Sequence, residues 1–327
     1  MAVSLPKTLF KKIQPDTISS YLKICLLNDK DLTAILGVLQ LKDKYIFEPL
    51  LPFSRGSHYI IYYKNKQTAE FDVPAADIKN FPEVITCFPQ QDTLPENVLK
   101  LYLAFSHPMS EEQSAKYITL LKRNGDTLKG EFLNLQPELW NEDRTVLTVW
   151  FDPGRIKRYL QPNLKLGAPL KRLQHYRLVI SHEWKDVQGV PLRKDFNKSF
   201  VAGNRDSLSP DTDHWKLMLP IKNLKNALII HTDEPLDHYL FEESLQIKDE
   251  NGVTIKGNFE IFNRDKSCRF IPRSKWKPGN YSIRIESRLE DLAGNNLNRP
   301  FDRDIVTTRE ALQVPWHEIK FKIAFSL

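Results

Sequence analysis

The sequence predicts an all-β protein built from β-sandwich domains in tandem. First, one stretch occurs twice, as LKLYLAFSHPMS near residue 100 and ALIIHTDEPLD near residue 228. Second, short apolar runs alternate with turn signals roughly every 8–12 residues, which is typical of a sandwich. Third, prolines outnumber glycines by 21 to 12, which disfavours long helices. An internal repeat is stronger evidence for the fold than any local motif, because it determines the architecture.

The two copies align through residues that they share. Pro108, Gly125 and Gly130 recur 127 residues later (235 − 108) as Pro235, Gly252 and Gly257. Tyr176, Asp186, Gly189, Leu192 and Phe196 recur 105 residues later (281 − 176) as Tyr281, Asp291, Gly294, Leu297 and Phe301. The falling offset places two insertions in the earlier copy, around 135–145 and 155–170. Insertions map to loops, which carry function more often than strands do.

The later copy shows its strands most clearly. Strands are predicted at 227–232, 245–248, 258–262, 268–272 and 281–285, with Phe301 opening the last one. Asn251-Gly252 predicts a hairpin turn, and 291–296 predicts another turn. The tail alternates over Ile319-Lys-Phe-Lys-Ile and is expected to add an edge strand.

A weaker third copy precedes these two. Pro49 and Gly56 align with Pro272 and Gly279 at an offset of 223 (272 − 49). This copy covers about 16–80 and lacks the Asp-x-x-Gly turn, so a partial or divergent sandwich is expected. The predicted domains are 1–82, 83–206 with a basic insertion at 154–172, and 207–327 with the tail strand.

Composition excludes several classes of protein. The chain has 327 residues and 41% hydrophobic content, enough to bury a core in each domain. The net charge of +6 is small and interleaved, which argues against specific nucleic-acid binding. Three widely spaced cysteines predict neither a disulfide framework nor a zinc site. No run is long enough for a signal peptide or a membrane span, so we expect a soluble chain that stays where it is made, unless its true start lies upstream.

The stretches LPENVLKLYLAFSHPMS and LEDLAGNNL resemble bacterial immunoglobulin-like domains of the type found in S-layer and adhesin proteins. Val190 departs from that pattern, which has Asn after the glycine of the late turn. The run ELWNEDRTVLTVWFDPGRIKRYLQPNLKLGAPL is similar to a group of uncharacterised bacterial proteins with paired domains. The resemblance implies tandem immunoglobulin-like sandwiches and a periplasmic or extracellular location. It implies no activity, because this fold hosts many unrelated functions.

The basic insertion is the predicted binding site. Ile156, Tyr159 and Leu160 have helical spacing, so a short amphipathic helix is expected to dock them on the sandwich. Its basic side would face an acidic partner, such as an anionic glycan or a phosphate-bearing surface. The alternative is a structural plug, in which Asp152 caps the helix and pairs with Arg155. The predicted binding residues are Asp152, Arg155, Lys157, Arg158 and Tyr159.

Patterns for metals, cofactors and catalysis are weak, so no metal, no cofactor and no catalytic residue is predicted. His231 and His238 lie near Asp233 and Asp237, but Pro235 breaks the run. The turn that begins at Asp291 has oxygen-rich side chains, and a turn bonded to its own backbone is favoured over a calcium loop.

Three functions remain open from the sequence. The first is a non-enzymatic binding or spacer module of a bacterial envelope or secreted context, contacting a protein or glycan. The second is a hydrolytic enzyme whose site lies at a domain junction, where clustered carboxylates with shifted pKa values would favour it. The third is an intracellular assembly subunit, consistent with unpaired thiols.

Overall fold

The structure, a computed structural model, describes residues 3–5, 18, 20–27, 33–41, 44–51, 53–75, 81–222, 224–302 and 313–324. These residues form an all-β chain with a few short helices, including α1 (Ser114–Tyr117). The predicted fold class, tandem immunoglobulin-like β-sandwiches with two clear copies and one partial copy, is confirmed. In the described part of the chain, no helix has both the length and the apolar character needed to cross a bilayer.

The second sandwich has the strand order of an immunoglobulin domain. One sheet runs β11-β12-β9-β7, which is the order D-E-B-A, and the other runs β10-β13-β14, which is C-F-G. A short strand, β8, joins the second sheet parallel to β14. The strands are β7 (Val84–Phe88), β8 (Thr93–Pro95), β9 (Lys100–Phe105), β10 (Ile118–Lys122), β11 (Leu139–Trp140), β12 (Val146–Trp150), β13 (His175–Ile180) and β14 (Phe196–Gly203).

The third sandwich repeats this order without the extra strand. Its sheets run β15-β16-β19-β18 and β17-β20-β21. The strands are β15 (Lys216–Met218), β16 (Leu228–His231), β17 (Leu245–Asp249), β18 (Gly257–Phe262), β19 (Ser267–Pro272), β20 (Gly279–Glu286) and β21 (Trp316–Ile323). The alternation in β20 buries Tyr281, Ile283 and Ile285 against Trp276. Each fully buried side chain of this size contributes about 1.5–3 kcal/mol to folding.

The last strand of the third sandwich is not where the repeat predicts it. Phe301 lies in a bend rather than at the start of a strand, and 303–312 lie outside the described residues. The tail provides strand G instead, because Trp316–Ile323 pairs along the whole of β20. The expectation of a tail strand is therefore confirmed, and the expectation of a strand at Phe301 is wrong.

The first sandwich contains two sheets of three strands, β1-β4-β3 and β2-β5-β6. By position they correspond to B-E-D and C-F-G, and among the described residues strand A has no counterpart. This explains the weak sequence match, which rests on strands E and F. The strands are β1 (Val3–Leu5), β2 (Leu22–Leu26), β3 (Gly37–Leu41), β4 (Tyr45–Pro49), β5 (His58–Tyr63) and β6 (Lys66–Asp72).

The chain forms two compact units. One holds the first sandwich together with two loops of the second, 105–113 and 181–195. In these loops the buried Trp184 packs on Phe105 and donates its indole N–H to the carbonyl of Ser110. The other unit holds the rest of the second sandwich and the third sandwich. The division into three domains ending at 82, 206 and 327 stays a prediction.

Candidate functional site

The basic insertion follows strand β12 and contains two short helices rather than one. Helix α2 (Pro153–Ile156) begins after Asp152, whose carboxylate accepts from the Gly154 N–H at 2.8 Å. The chain turns extended at Lys157, and helix α3 (Gln161–Leu166) begins only after Leu160. Two helices form because Pro162 fits the first turn of a helix but not its interior. The cap at Asp152 is confirmed, and the continuous amphipathic helix is wrong.

Arg155 holds the insertion against its own sandwich. Its side chain is buried, and its guanidinium donates to the carbonyls of Gly130 at 2.6 Å and Gly167 at 3.0 Å. It also pairs with Glu131, at 3.3 Å from Nη1 to Oε1. Arg155 therefore does not face solvent, and its acidic partner is Glu131 rather than Asp152. Burial of Glu131 raises the pKa of its carboxyl, although the nearby Arg155 opposes this shift.

The other two basic residues of the predicted site contact the third sandwich. Arg158 Nε lies 2.9 Å from Asp302 Oδ2, and Arg205 Nη2 lies 2.5 Å from the same oxygen. The Lys157 ammonium lies 4.3 Å from the centre of the Phe301 ring. The insertion therefore connects the second and third sandwiches through an ion pair and a cation–π contact.

The apolar residues after Arg158 point outward. Tyr159 is 79% exposed, and Leu164 and Leu166 are 62% and 67% exposed. Only Ile156 of the predicted apolar face is buried, so the expected docking of Tyr159 and Leu160 is wrong. We call residues 159–166 the insertion surface. Binding of an outside partner by the predicted residues stays a prediction.

A buried charge network lies where the second and third sandwiches meet. Lys100 Nζ of strand β9 lies 3.0 Å from Asp237 Oδ2 and 2.7 Å from Glu290 Oε1. The Tyr102 hydroxyl donates to both Asp237 oxygens, at 3.0 and 2.8 Å. Asp237 also caps helix α4 (His238–Glu243) by accepting from the Leu240 N–H. One carboxylate thus fixes a helix of the third sandwich to a strand of the second.

The electrostatics of this network follow from its burial. Burial works against the Lys100 ammonium, but Asp237 and Glu290 outweigh it and raise the pKa of Lys100. Burial raises the pKa of Glu290, against the opposing effect of Lys100. Removing the ammonium would leave two carboxylates without a cation in a place closed to water, so Lys100 is the central member.

Sequence reasoning missed this network, although one signal was present. Lys100 interrupts an otherwise apolar strand, LKLYLAF, and Ala227 stands at the equivalent position 127 residues later. A lysine in a buried strand of one copy and an alanine in the other indicates a charged partner outside the sandwich. The sequence alone could not identify the partners, since Asp237 and Glu290 belong to separate loops.

Three carboxylates gather beside this junction. Oxygens of Asp206, Glu234 and Asp291 all lie within 4.8 Å of one another. Burial and the neighbouring charges raise the pKa of Glu234 to about 8, and burial raises that of Asp291 to about 7. Asp206 and Glu234 also line an open pocket of about 340 Å³.

The Asp291 carboxylate is hydrogen-bonded within its own turn. It accepts from the backbone N–H of Ala293 at 2.8 Å and of Asn295 at 2.9 Å. It also accepts from the Asn295 side-chain amide at 2.7 Å. The prediction that this aspartate bonds its own backbone is confirmed. Nothing local in the sequence indicates that Asp206 and Glu234 approach it.

Comparison with known proteins does not identify a function for this chain. No family model and no curated protein sequence matches the chain. Among solved structures, it is similar to native alpha-2-macroglobulin from Escherichia coli, with 10% identity over 62% of this chain and 66% of that chain, at a TM-score of 0.25. It is similar to domains 1–6 of the surface layer protein SbsC, with 14% identity over 62% of this chain and 23% of that chain, at a TM-score of 0.27.

A third similar structure is the Ig1-2 module of the Drosophila receptor protein tyrosine phosphatase DLAR. It is 12% identical over 63% of this chain and 91% of that chain, at a TM-score of 0.23. All three are immunoglobulin-like or bacterial tandem-domain proteins. This chain spans less than two thirds of the first two solved chains. The similarities are too low to carry an argument about function, which must come from the chain itself.

Proposed function

We propose that the chain is a non-enzymatic binding and spacer module of a bacterial envelope or secreted context. Its second and third sandwiches act as one rigid element, and its insertion surface contacts a protein or glycan partner. The observation that carries this proposal is the buried network of Lys100, Asp237 and Glu290, which joins two sandwiches that a flexible linker would otherwise leave free to move. The bacterial context follows from the sequence resemblance.

Rigidity is supported by two separate sets of contacts between the second and third sandwiches. One is the buried network of Lys100, and the other is the pair of ionic contacts that Arg158 and Arg205 make with Asp302. A hinge motion would have to break a buried ion pair, which is strongly unfavourable. It would also have to break the mostly buried pair of Arg205 with Asp302 and the more exposed pair of Arg158 with Asp302, which costs less. The junction is therefore expected to stay closed in solution.

Backbone ¹⁵N relaxation tests this rigidity. We expect amides of β13 and β20 to give the same rotational correlation time, because the two sandwiches tumble together. In a Lys100→Met variant, we expect the two times to separate. Distinct correlation times in the unaltered chain would contradict the rigid element.

The insertion surface supports the binding part of the proposal. Tyr159, Leu164 and Leu166 expose apolar side chains within one eight-residue segment, and exposed apolar patches mark interaction sites. Lys165 adds a positive charge on the same short helix, so the matching partner offers an apolar contact with a negative group beside it. An anionic glycan or an acidic protein surface has this chemistry.

Heparin is a suitable first probe of this surface. We expect salt-sensitive binding that falls at least fivefold in a Lys165→Gln variant and in a Tyr159→Ser/Leu164→Ser variant. Val253→Ser serves as the matched control, because Val253 is 59% exposed in a hairpin of the third sandwich. Equal binding by all of these proteins would count against the insertion surface.

The hydrolytic alternative has one observation in its favour, the raised pKa values of Glu234 and Asp291 beside an open pocket. Against it, the Asp291 carboxylate accepts three hydrogen bonds from its own turn. A screen with chromogenic glycosides and esters distinguishes the two functions. Turnover that a Glu234→Gln variant abolishes would favour the enzyme.

A further inference from the structure

A cleft of about 400 Å³ enters the second sandwich between strand β10 and the segment 127–134. Helix α1 (Ser114–Tyr117) and Val149 of β12 complete its walls. Small-molecule sites commonly have this volume and a largely apolar lining with a few placed polar groups. The apolar wall residues include Ala115, Ile118, Leu120, Leu128, Phe132 and Leu133.

Glu131 is the polar group that distinguishes this cleft from a packing defect. The residue lines the cleft and is only 6% exposed. Its Oε1 pairs with Arg155, whereas its Oε2 is buried and has no hydrogen-bond partner among the residues that the structure describes. Leaving a buried carboxylate oxygen without a donor is unfavourable, so a donor that reaches Oε2 from the cleft would recover that free energy.

The third sandwich shows how the same place is closed in the other copy. There β18 pairs with β19 along its whole length, and Gly257 lies so close to Phe270 that an added Cβ would be 2.4 Å from the ring. Gly130 is the equivalent residue of the second sandwich, and an added Cβ would meet nothing within 4 Å. At this position the second sandwich is open and the third is closed.

The insertion at 135–145 explains this difference. After the single bridge between Phe132 and Phe151, the second sandwich resumes pairing only at β11. The chain between Phe132 and β11 therefore leaves the sheet. The equivalent strand of the third sandwich, β18, stays paired with β19. The other insertion contributes Arg155, which pairs with one oxygen of Glu131, while the other oxygen has no hydrogen-bond partner among the described residues.

We propose that this cleft binds a small ligand in which a compact apolar group carries a primary amine, with the amine donating to Glu131 Oε2. The apolar walls would accept the hydrocarbon part. An ammonium is the donor of choice because hydrogen bonds to a carboxylate from a charged donor are roughly twice as strong as neutral ones. The site uses neither the junction nor the insertion surface, so it stands apart from the proposed spacer function.

The test is a methyl NMR titration of the full chain with three probes of the same shape. Phenethylamine carries the charged donor, 2-phenylethanol a neutral donor, and ethylbenzene none. We expect saturable shifts of the Ile118, Leu120 and Leu128 methyls, with phenethylamine binding at least tenfold tighter than ethylbenzene. The absence of saturable shifts, or equal affinity for phenethylamine and ethylbenzene, would overturn the proposal.

Two variants locate the site. Glu131→Gln is expected to weaken phenethylamine at least fivefold and to leave ethylbenzene unchanged. Ala115→Phe is expected to block all three probes, and it should fold because Ala115 is exposed. Ser207→Phe, at another exposed position, is the matched control. If Glu131→Gln fails to fold, Ala115→Phe decides, and unchanged affinity in that variant would refute the site.

Discussion

The second and third sandwiches share one topology but differ in the length over which strand D pairs with strand E. In the third, β18 pairs with β19 over six residues, from Gly257 to Phe262. In the second, β11 pairs with β12 over only Leu139 and Trp140. The second copy thereby gains a cleft, and its other insertion reaches the third sandwich through Arg158. Insertions in one copy have thus changed its surface without changing its sheet order.

The same two copies agree in their late turn. Asp186 accepts from the N–H groups of Gln188 and Val190, both at 2.8 Å. Asp291 accepts in the same way from Ala293 and Asn295, each 105 residues later. The turn is retained because it satisfies the backbone locally in either copy. The comparison teaches that shared features hold each sandwich together, whereas unshared ones connect it to something else.

Lys100 is the strongest unshared feature, and its removal should have the largest effect. We expect Lys100→Met to lower the free energy of unfolding by about 3–5 kcal/mol, because it leaves Asp237 and Glu290 buried without a cation. Urea denaturation measures this change. Lys122→Met, at an exposed strand end, is the matched control and should change stability by less than about 0.5 kcal/mol. Equal effects of the two substitutions would show that the network is not important for stability.

Glu234 should make the stability of the third sandwich depend on pH. Its pKa is raised from 4.5 to about 8, so the folded chain keeps a proton that the unfolded chain has already lost. The free energy of unfolding therefore falls as the pH rises from about 4.5 to about 8. Urea titrations at pH 5.5 and 8 should show this fall, and Glu234→Gln should reduce it. A fall of the same size in the variant would assign it to other groups.

Tyr176 and Tyr281 test the shared features, because they occupy the same position in the two copies. The Tyr176 hydroxyl accepts from the Lys171 N–H, and the Tyr281 hydroxyl donates to the Lys277 carbonyl. Replacing either tyrosine by phenylalanine should cost about 1 kcal/mol, the usual contribution of one neutral hydrogen bond. Thermal unfolding measures both variants. A large difference between them would mean that the two copies do not use this tyrosine alike.

Arg158 should have the smallest effect. Its side chain is 51% exposed, and Arg205 also binds Asp302. We therefore expect Arg158→Ala to cost less than about 1 kcal/mol. A loss as large as that for Lys100→Met would place the main junction at Asp302 rather than at Asp237.

The sequence predicted the fold well because repeated turns and alternating strands are local patterns. It also located the insertion at 155–170 and the cap at Asp152. It missed the partners of Arg155 and Arg158, because Glu131 and Asp302 are distant in sequence and nothing local indicates the pairing. It placed the last strand at Phe301 because that residue aligns with Phe196, whereas the chain uses 316–323 instead. Apart from the last strand and the division of the insertion into two helices, the errors lie in contacts between elements rather than in the elements themselves.

The central claim, that the second and third sandwiches form one rigid element, can be tested by a distance measurement between spin labels. Arg177→Cys and Lys322→Cys place labels on exposed strand positions of the two sandwiches, and the native thiols are buried. Double electron–electron resonance should give one narrow distance distribution, which broadens when Lys100→Met is added. A broad distribution in the labelled chain without that substitution would contradict the account.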